Sequence, residues 1–548
     1  MPPGSSPSAA QSPHRFQRRG FSYERAIRFF FASNAGLTIV ILLLIIVFLL
    51  KEGLGFFPGY RRELEIYRIA GLEFVDLSRK NLSAHEQLGS LLNRAYYAEI
   101  NGLKARALPN ADTGPSSATA PPNENPLAAF RETIDSFEAA GANLDAVVVE
   151  MTGTVTTTKE ALQNADLLEK DRKTLLAAAQ NAKDPIEREK LLADARASLA
   201  ETVETEGPIQ SLLQRRVECI RIHQELQQAA ASTLGALPGS LTQPEAKRLL
   251  RAARNAWPAF IAGLASSPEK IQRWNPSDPV PLSDAVISFL TGRNWITGGE
   301  WQDFYGILPL AVGSLMIALV ALSLAIPLGI GAAIYVNQFA SVREQSWIKP
   351  VIEFIQAIPS VVLGFLGILV LGTVLRDIST IHSLQWIPGF PIEERLNIFT
   401  AGCLLALMGI PTIFSLAEDA LNNVPCAYAE ASEALGASRV QTTVRVMIPA
   451  AFSGILAAIL LGFGRVIGET MVVLLVAGNR IKIPDFSAGL GTIFQPTHTL
   501  TGIIAQELGE VPMGSVHYRA LFVVGILLFA VVLFINATAH HFLHRAKK

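Results

Sequence analysis

Apolar residues gather along this chain in six blocks, each long enough to cross a bilayer, which takes roughly 20 residues. They run over Phe29–Leu50, Ile307–Val336, Ile348–Leu375, Leu396–Ala417, Ala450–Gly478 and Ala520–Asn536. Between the first and second blocks the pattern changes. From Glu63 to Ile100, and again from Leu127 to Leu264, apolar residues such as Ile66, Ile69, Leu88, Leu91 and Leu92 return at helical intervals among charged and small residues. This predicts four to six amphipathic helices packed as hairpins or an elongated bundle, with breaks near Thr152–Thr158, Gly207-Pro208 and Leu237-Pro238-Gly239. Pro109–Pro126, rich in Pro, Ser, Asn and Thr, reads as an exposed linker. The expected class is all-α: a polytopic membrane protein of six transmembrane helices with a large helical insertion between helices 1 and 2. It divides into a terminus and anchor helix (1–50), the insertion (51–285) and a five-helix core (286–548).

Composition fits this class. Half of the 548 residues are hydrophobic and only 17% are charged, against about 25% in soluble proteins. The balance of 46 basic and 47 acidic residues lacks the positive excess that a nucleic-acid partner would require. Cys219, Cys403 and Cys426 lie far apart, so neither a disulfide framework nor a CxxC metal site is readable. His498 and His517 fall in an expected outer loop without metal-ligand spacing and read as solvated.

Arg15, Arg18, Arg19, Arg25 and Arg28 precede the first apolar block, and Lys51–Phe57 after it contains no small-residue cleavage site. The block therefore reads as an uncleaved anchor with a cytoplasmic N-terminus. The insertion then faces the periplasm, while the loop around Glu430 and the tail His540–Lys548 face the cytoplasm. Arginines and lysines occur in loops on both sides, so the two termini carry this orientation. Pro327, Pro359 and Pro411 interrupt apolar blocks, as is tolerated where a helix lines a cavity or packs on others.

Two stretches carry candidate chemistry. The first is a short helix expected over Ala427–Leu435 with Gly436 as its C-cap. Ala431, Ser432 and Ala434 permit close approach of a partner, and Glu430 and Glu433 share a face that could engage it. Pro449 suits the first turn of the next span, where its missing N–H costs nothing. The second is Gly464-Arg465-Val466-Ile467-Gly468-Glu469-Thr470-Met471. Arg465 and Glu469 stand four residues apart in the expected span Ala450–Gly478, hence on one helix face. A charge at mid-bilayer costs at least ~2.5 kcal/mol, so both should face protein or water. Two readings stay open: a self-neutralising structural ion pair, or a substrate path in which the guanidinium offers a fork of donors to an oxyanion. Thr470 adds a hydroxyl, and Gly464 and Gly468 permit close helix approach. Gln356 and Ser360, four apart in Glu353–Ser360, either line the same route or serve packing.

The spacing Glu430-Ala431-Ser432, Gly436, Val446 and Ile448-Pro449 resembles the EAA motif of bacterial ABC importer permeases. Gly464–Met471 is similar to the PstC-type subunit of the phosphate importer. The resemblance covers about 286–548 and the first span. It implies a bacterial inner-membrane location, that the 427–436 helix docks into an ATPase subunit, and that Arg465 and Glu469 belong to the translocation route. It also implies three kinds of partner: a PstA-type permease, a PstB-type ATPase dimer and a PstS-type phosphate-binding protein. Ser432 and Val446 are mild departures, standing where the motif has alanine and isoleucine. No GxxxxGK[ST] loop occurs in the chain, so ATP and Mg are expected on the separate ATPase subunit, with no cofactor and no catalytic residue here. The large insertion departs from the family's usual short loop. Two alternatives accompany the phosphate reading: a permease for phosphonate, sulfate or molybdate, and a phosphate-responsive sensor that uses the insertion.

Overall fold

The computed structural model describes residues 20–107, 125–199, 203–299, 301–384 and 386–545. Arg15, Arg18 and Arg19, positions 109–124 of the expected linker and the last three residues lie outside the described residues. The helices in order are α1 (Gly20–Leu54), α2 (Phe56–Ile69), α3 (Leu72–Ala107), α4 (Asn125–Asn181), α5 (Pro185–Ala197), α6 (Glu206–Gln214), α7 (Arg216–Ala236), α8 (Pro244–Arg273), α9 (Leu282–Thr291) and α10 (Leu308–Gln338). They continue as α11 (Val342–Ala357), α12 (Ser360–Leu366), α13 (Gly372–Ser379), α14 (Ile398–Asn422), α15 (Cys426–Ala434), α16 (Arg439–Thr442), α17 (Ile448–Ile467), α18 (Met471–Val476), α19 (Leu500–Glu507) and α20 (Val516–Arg545). Two short strands, β1 (Trp295–Ile296) and β2 (Phe304–Tyr305), pair antiparallel. The chain forms two compact units. One comprises Tyr60–Ala285 with Gly298–Asp303; the other comprises the chain up to Gly59, Val286–Thr297 and everything from Phe304 onward.

In the first of these units α3 packs along α4 and α8, and α7 packs on α4 and α8. The amphipathic spacing of α8 buries Leu249, Leu250, Ala253, Trp257, Phe260 and Leu264 on one stripe, where the rings of Trp257 and Phe260 meet Phe137 of α4 at 5.1 and 6.2 Å between centroids. Glu99 of α3 accepts hydrogen bonds from the backbone N–H of Thr242 (2.8 Å) and of Gln243 (2.9 Å), tying α3 to the approach to α8. Burial works to raise the pKa of this carboxyl, but the donors from Thr242 and Gln243 hold it below the ordinary carboxylate range.

The expected break at Thr152–Thr158 does not exist: α4 runs through it over 57 residues. The threonine hydroxyls bond back to carbonyls of the preceding turn, Thr152 to Val148, Thr156 to Thr152 and Thr158 to Thr154, so the polar run stays helical. The break near Gly207-Pro208 lies a few residues earlier, because α6 begins at Glu206. The break after Ala236 falls where Leu237-Pro238-Gly239 predicts it.

The second unit holds the membrane helices. Among the described residues six helical stretches are long and apolar enough to cross a bilayer: Ile27–Ile69, whose C-terminal part from Tyr60 belongs to the other unit, Leu308–Gln338, Ser360–Ser379, Ile398–Asn422, Arg439–Ile467 and Val516–Phe542. Two expected spans are redrawn. Ile348–Leu375 is not continuous, because Pro359 is extended (φ −58°, ψ 135°) and separates α11 from the spanning helix. Pro359 thus marks a break, whereas Pro327 and Pro411 sit inside α10 and α14. Ala450–Gly478 is also broken, and its helix starts earlier than expected. Pro449 is the second residue of α17, as expected, but the helix also continues back through a π-helical turn over Thr443–Met447, where the Ile448 N–H donates to Thr443 O. The wider turn absorbs the bond that proline cannot make.

Small residues set the helix approaches. A Cβ on Gly402 of α14 would stand 2.4 Å from Val320 of α10, and one on Gly462 of α17 would stand 2.6 Å from Ile413 of α14. These pairs bring α10, α14 and α17 together around Ile317, Ala321, Leu404 and Val466. Short α18 completes this cluster with Val472, Val473 and Val476.

Candidate functional site

Arg465 sits in the last turn of α17, exposed at the surface of the chain. The helix ends at Ile467, Gly468 takes φ −86° and ψ −3°, and a new helix begins at Met471. Gly468, Glu469 and Thr470 therefore form a break, which corrects the expectation that Arg465 and Glu469 share one face of one helix. Among the described residues no ion pair or hydrogen bond joins them. Gly464 does mark a close approach, with its Cβ position 3.1 Å from Asn536 Oδ1 of α20, but Gly468 meets only backbone of its own segment.

The break is held by neighbours. The Glu469 N–H donates to Val466 O (3.3 Å), and Thr501 Oγ1 of α19 donates to Glu469 O (2.8 Å). Thr470 Oγ1 reaches Gly468 O at 3.5 Å. Gly468, Thr470 and Thr501 form the polar part of a cleft of about 690 Å³ whose other walls include Ile504, Leu508 and Tyr518. Thr501 was not legible as a candidate. Its signal was the run Thr497-His498-Thr499-Leu500-Thr501 ahead of Gly-Ile-Ile, which looks like a polar loop but alternates hydroxyls.

Gln356 and Ser360 are not brought together on one face either. Gln356 is exposed near the end of α11, and Ser360 opens α12 beyond the Pro359 break. Neither bonds to Arg465, Glu469 or Thr470 among the described residues. The helix of Ser360 nevertheless neighbours α18, since a Cβ on Gly364 would lie 2.4 Å from Leu475.

Neither His498 nor His517 stands in solvent, contrary to the expectation from the sequence. His498 is 2% exposed, accepts the Thr499 N–H at Nδ1 (2.8 Å) and faces Gln506 Oε1 from Nε2 (3.0 Å). Burial pushes its pKa down. His517 pairs with Glu507 Oε2 at 2.7 Å, and the Trp295 indole donates to the same oxygen at 3.1 Å. His498 thus ties the turn before α19 to that helix, and His517 ties α20 to α19. Among the described residues no cluster of His, Cys, Asp or Glu has the arrangement of a metal site, and the three cysteines are free.

The second candidate, α15, buries none of its residues. It ends in two bonds, Gly436 N–H to Glu433 O (2.9 Å) and Ala437 N–H to Ser432 O (3.2 Å), with Gly436 at φ +82°. This is the paired closure of a Schellman motif, which requires a left-handed residue and so favours glycine. Glu430, Ala431 and Glu433 are exposed, as are Tyr428 and Leu435, the latter 90% so. Ser432 is turned inward, its hydroxyl 2.9 Å from Thr442 Oγ1 of α16. The serine thus fastens α15 to the π-turned helix that leads, through Pro449, to Arg465.

Residues 325–548 match the family of binding-protein-dependent transport system inner membrane components. The probable ABC transporter permease protein YqgH of Bacillus subtilis is 35% identical over 243 residues, which are 44% of this chain and 72% of that protein. The phosphate transport system permease protein PstC of Mesorhizobium japonicum is 30% identical over 272 residues, 48% of this chain and 80% of that protein. The PstC of Pasteurella multocida is 28% identical over 270 residues, 48% of this chain and 81% of that protein. The chain belongs to this family, as a permease of the PstC type. It is a multi-pass inner-membrane protein and the permease subunit of an ABC importer. The family match takes in both α15 and the α17–α18 break of the permease, and it leaves α2 to α9 outside.

Proposed function

We propose that this permease carries phosphate across the inner membrane, past Arg465, in an importer driven by a separate ATPase. The observation that carries the reading is Arg465 itself: an exposed guanidinium, without an ion-pair partner among the described residues, at the end of a helix that breaks beside Glu469 and Thr470. A planar fork of donors with no carboxylate on it is suited to a tetrahedral oxyanion. The PstC relatives are phosphate transport permeases by name, which favours phosphate among oxyanions. Glu469, half-buried in the break, limits how tightly the anion is held there. Ser360 and Gln356 lie further along the route.

In this reading α15 docks the ATPase. Its exposed Glu430 and Glu433 supply charge, Ala431 permits close approach, and Leu435 supplies apolar contact. Closure of the ATPase moves α15, and the Ser432–Thr442 contact passes the movement into the helix that holds Arg465. The partners are a PstA-type permease, a PstB-type ATPase dimer that binds ATP and Mg, and a PstS-type binding protein. Both termini are cytoplasmic and the 51–285 insertion is periplasmic, beside the binding protein's docking face.

The test is radiolabelled phosphate uptake by the complete transporter, wild type against Arg465→Ala, with unlabelled phosphate, sulfate, molybdate and phosphonate as competitors. Uptake that phosphate alone competes, lost in a variant that still assembles with the ATPase, is the expected result. Competition by another oxyanion in preference to phosphate would reassign the substrate. Normal uptake by Arg465→Ala would remove the arginine from the route.

A further inference from the structure

We propose that Thr501 is a positioning residue for Glu469, and that the segment Thr497–Thr501 is a buried strap that fixes the α17–α18 break. The proposal rests on the reading above, in which Glu469 belongs to the translocation route.

A break between two helices leaves backbone carbonyls without intrahelical partners, and in an apolar setting each such group must be bonded. At this break Glu469 O is bonded by Thr501 Oγ1 at 2.8 Å. Thr501 is 5% exposed, so water has little access to replace the hydroxyl. It therefore decides the orientation of the peptide next to the Cα that bears the Glu469 carboxylate.

The strap that carries this hydroxyl is itself held at three points. The Thr497 N–H donates to Ala477 O at the end of α18 (2.9 Å). The Leu500 N–H donates to Ser314 Oγ of α10 (2.9 Å). Thr499 caps α19 by accepting the Gly502 N–H (3.0 Å), and its hydroxyl lies 3.3 Å from that of Thr501. All five strap residues are buried, from Thr497 at 0% to Thr501 at 5% exposure. Gly313 of α10 makes the seat, because a Cβ there would stand 2.1 Å from His498 O. α10 and α18 thus fix the strap, and the Thr501 hydroxyl carries it to the break.

The experiment compares Thr501→Val, which keeps the shape and loses the donor, with Thr501→Ser, which keeps the donor, in the complete transporter. Phosphate uptake is measured alongside the labelling rate of a cysteine placed at position 469, in a chain whose three native cysteines are serine. Thr501→Val should lower maximal uptake about tenfold at an unchanged membrane level and alter labelling at 469 several-fold, while Thr501→Ser stays within about twofold of wild type. Unaltered labelling in Thr501→Val, or equal loss of uptake in the serine variant, overturns the proposal. Glu469→Gln with normal uptake, beside altered labelling in Thr501→Val, would leave the positioning role standing and remove Glu469 from the route.

Discussion

Lys349 Nζ of α11 lies 2.5 Å from Glu418 Oε1 of α14, and the glutamate side chain is only 11% exposed. Asn422 donates to the same carboxylate oxygen (3.3 Å) and accepts from Asn337 of α10 (2.5 Å). One polar chain therefore fastens α10, α11 and α14 just before the turn into α15. Glu418→Gln leaves the ammonium without its charge partner. We expect a loss on the order of 2 kcal/mol, between the values for exposed and fully buried pairs, seen as a lower melting temperature of the solubilised chain. Adding Lys349→Met should restore part of the loss, and failure to restore any would show that the pair is not what α11 hangs on.

Gly436 permits a clean test of the α15 terminus. Nothing lies within 4 Å of its Cβ position, so a substitution there meets backbone strain alone. Gly436→Ala should cost about 1 kcal/mol in the left-handed conformation, and Gly436→Asn less. Co-purification with the ATPase subunit should weaken in the order Gly, Asn, Ala. Identical retention across the three would separate the cap from docking.

The Tyr60–Ala285 unit should lose stability in mild acid. His85 and His223 are buried, and burial lowers both pKa values from the ordinary 6.5. The unfolded chain then binds more protons than the folded one below that pH. The stabilisation is complete above about 6.5 and falls as pH drops toward the lowered values. Denaturant titrations of the full chain at pH 7.5 and 5.5, followed by the fluorescence of buried Trp257, check the sign. His85→Phe should flatten part of the dependence.

Thiol chemistry separates the two units. Cys219 is fully buried and burial pushes its thiol up to about 11, so it should stay unlabelled until the chain unfolds. Cys426 is exposed on α15 and should react in the free permease. Protection of Cys426 by the bound ATPase subunit is the expected result, and unchanged labelling would move the docking face elsewhere.

The number of membrane helices and the existence of α15 were legible, because apolar length and a glycine-ended polar helix are local signals. Their interruptions were not. Pro359 and Pro449 look alike in sequence, yet one breaks a helix and the other is absorbed by a π-helical turn five residues wide. The Thr152–Thr158 run invites a break, but back-bonded hydroxyls keep α4 whole. The spacing of Arg465 and Glu469 implies a shared face only if the helix continues, and Gly468 ends it. Thr501 was out of reach for another reason: its partner lies 32 residues away in sequence.

An interrupted helix also has an electrical consequence. The peptide dipoles of α17 add toward its C-terminal end, where they amount to roughly half a negative charge. Arg465 lies in that last turn, so the carbonyl end of its own helix stabilises the guanidinium by about 0.3–1 kcal/mol. In an unbroken span running on to Gly478, the same arginine would sit in mid-helix, where the peptide dipoles cancel. The break at Gly468 thus moves part of the counter-charge from a side chain to the backbone and leaves the donor fork of the arginine open to an anion.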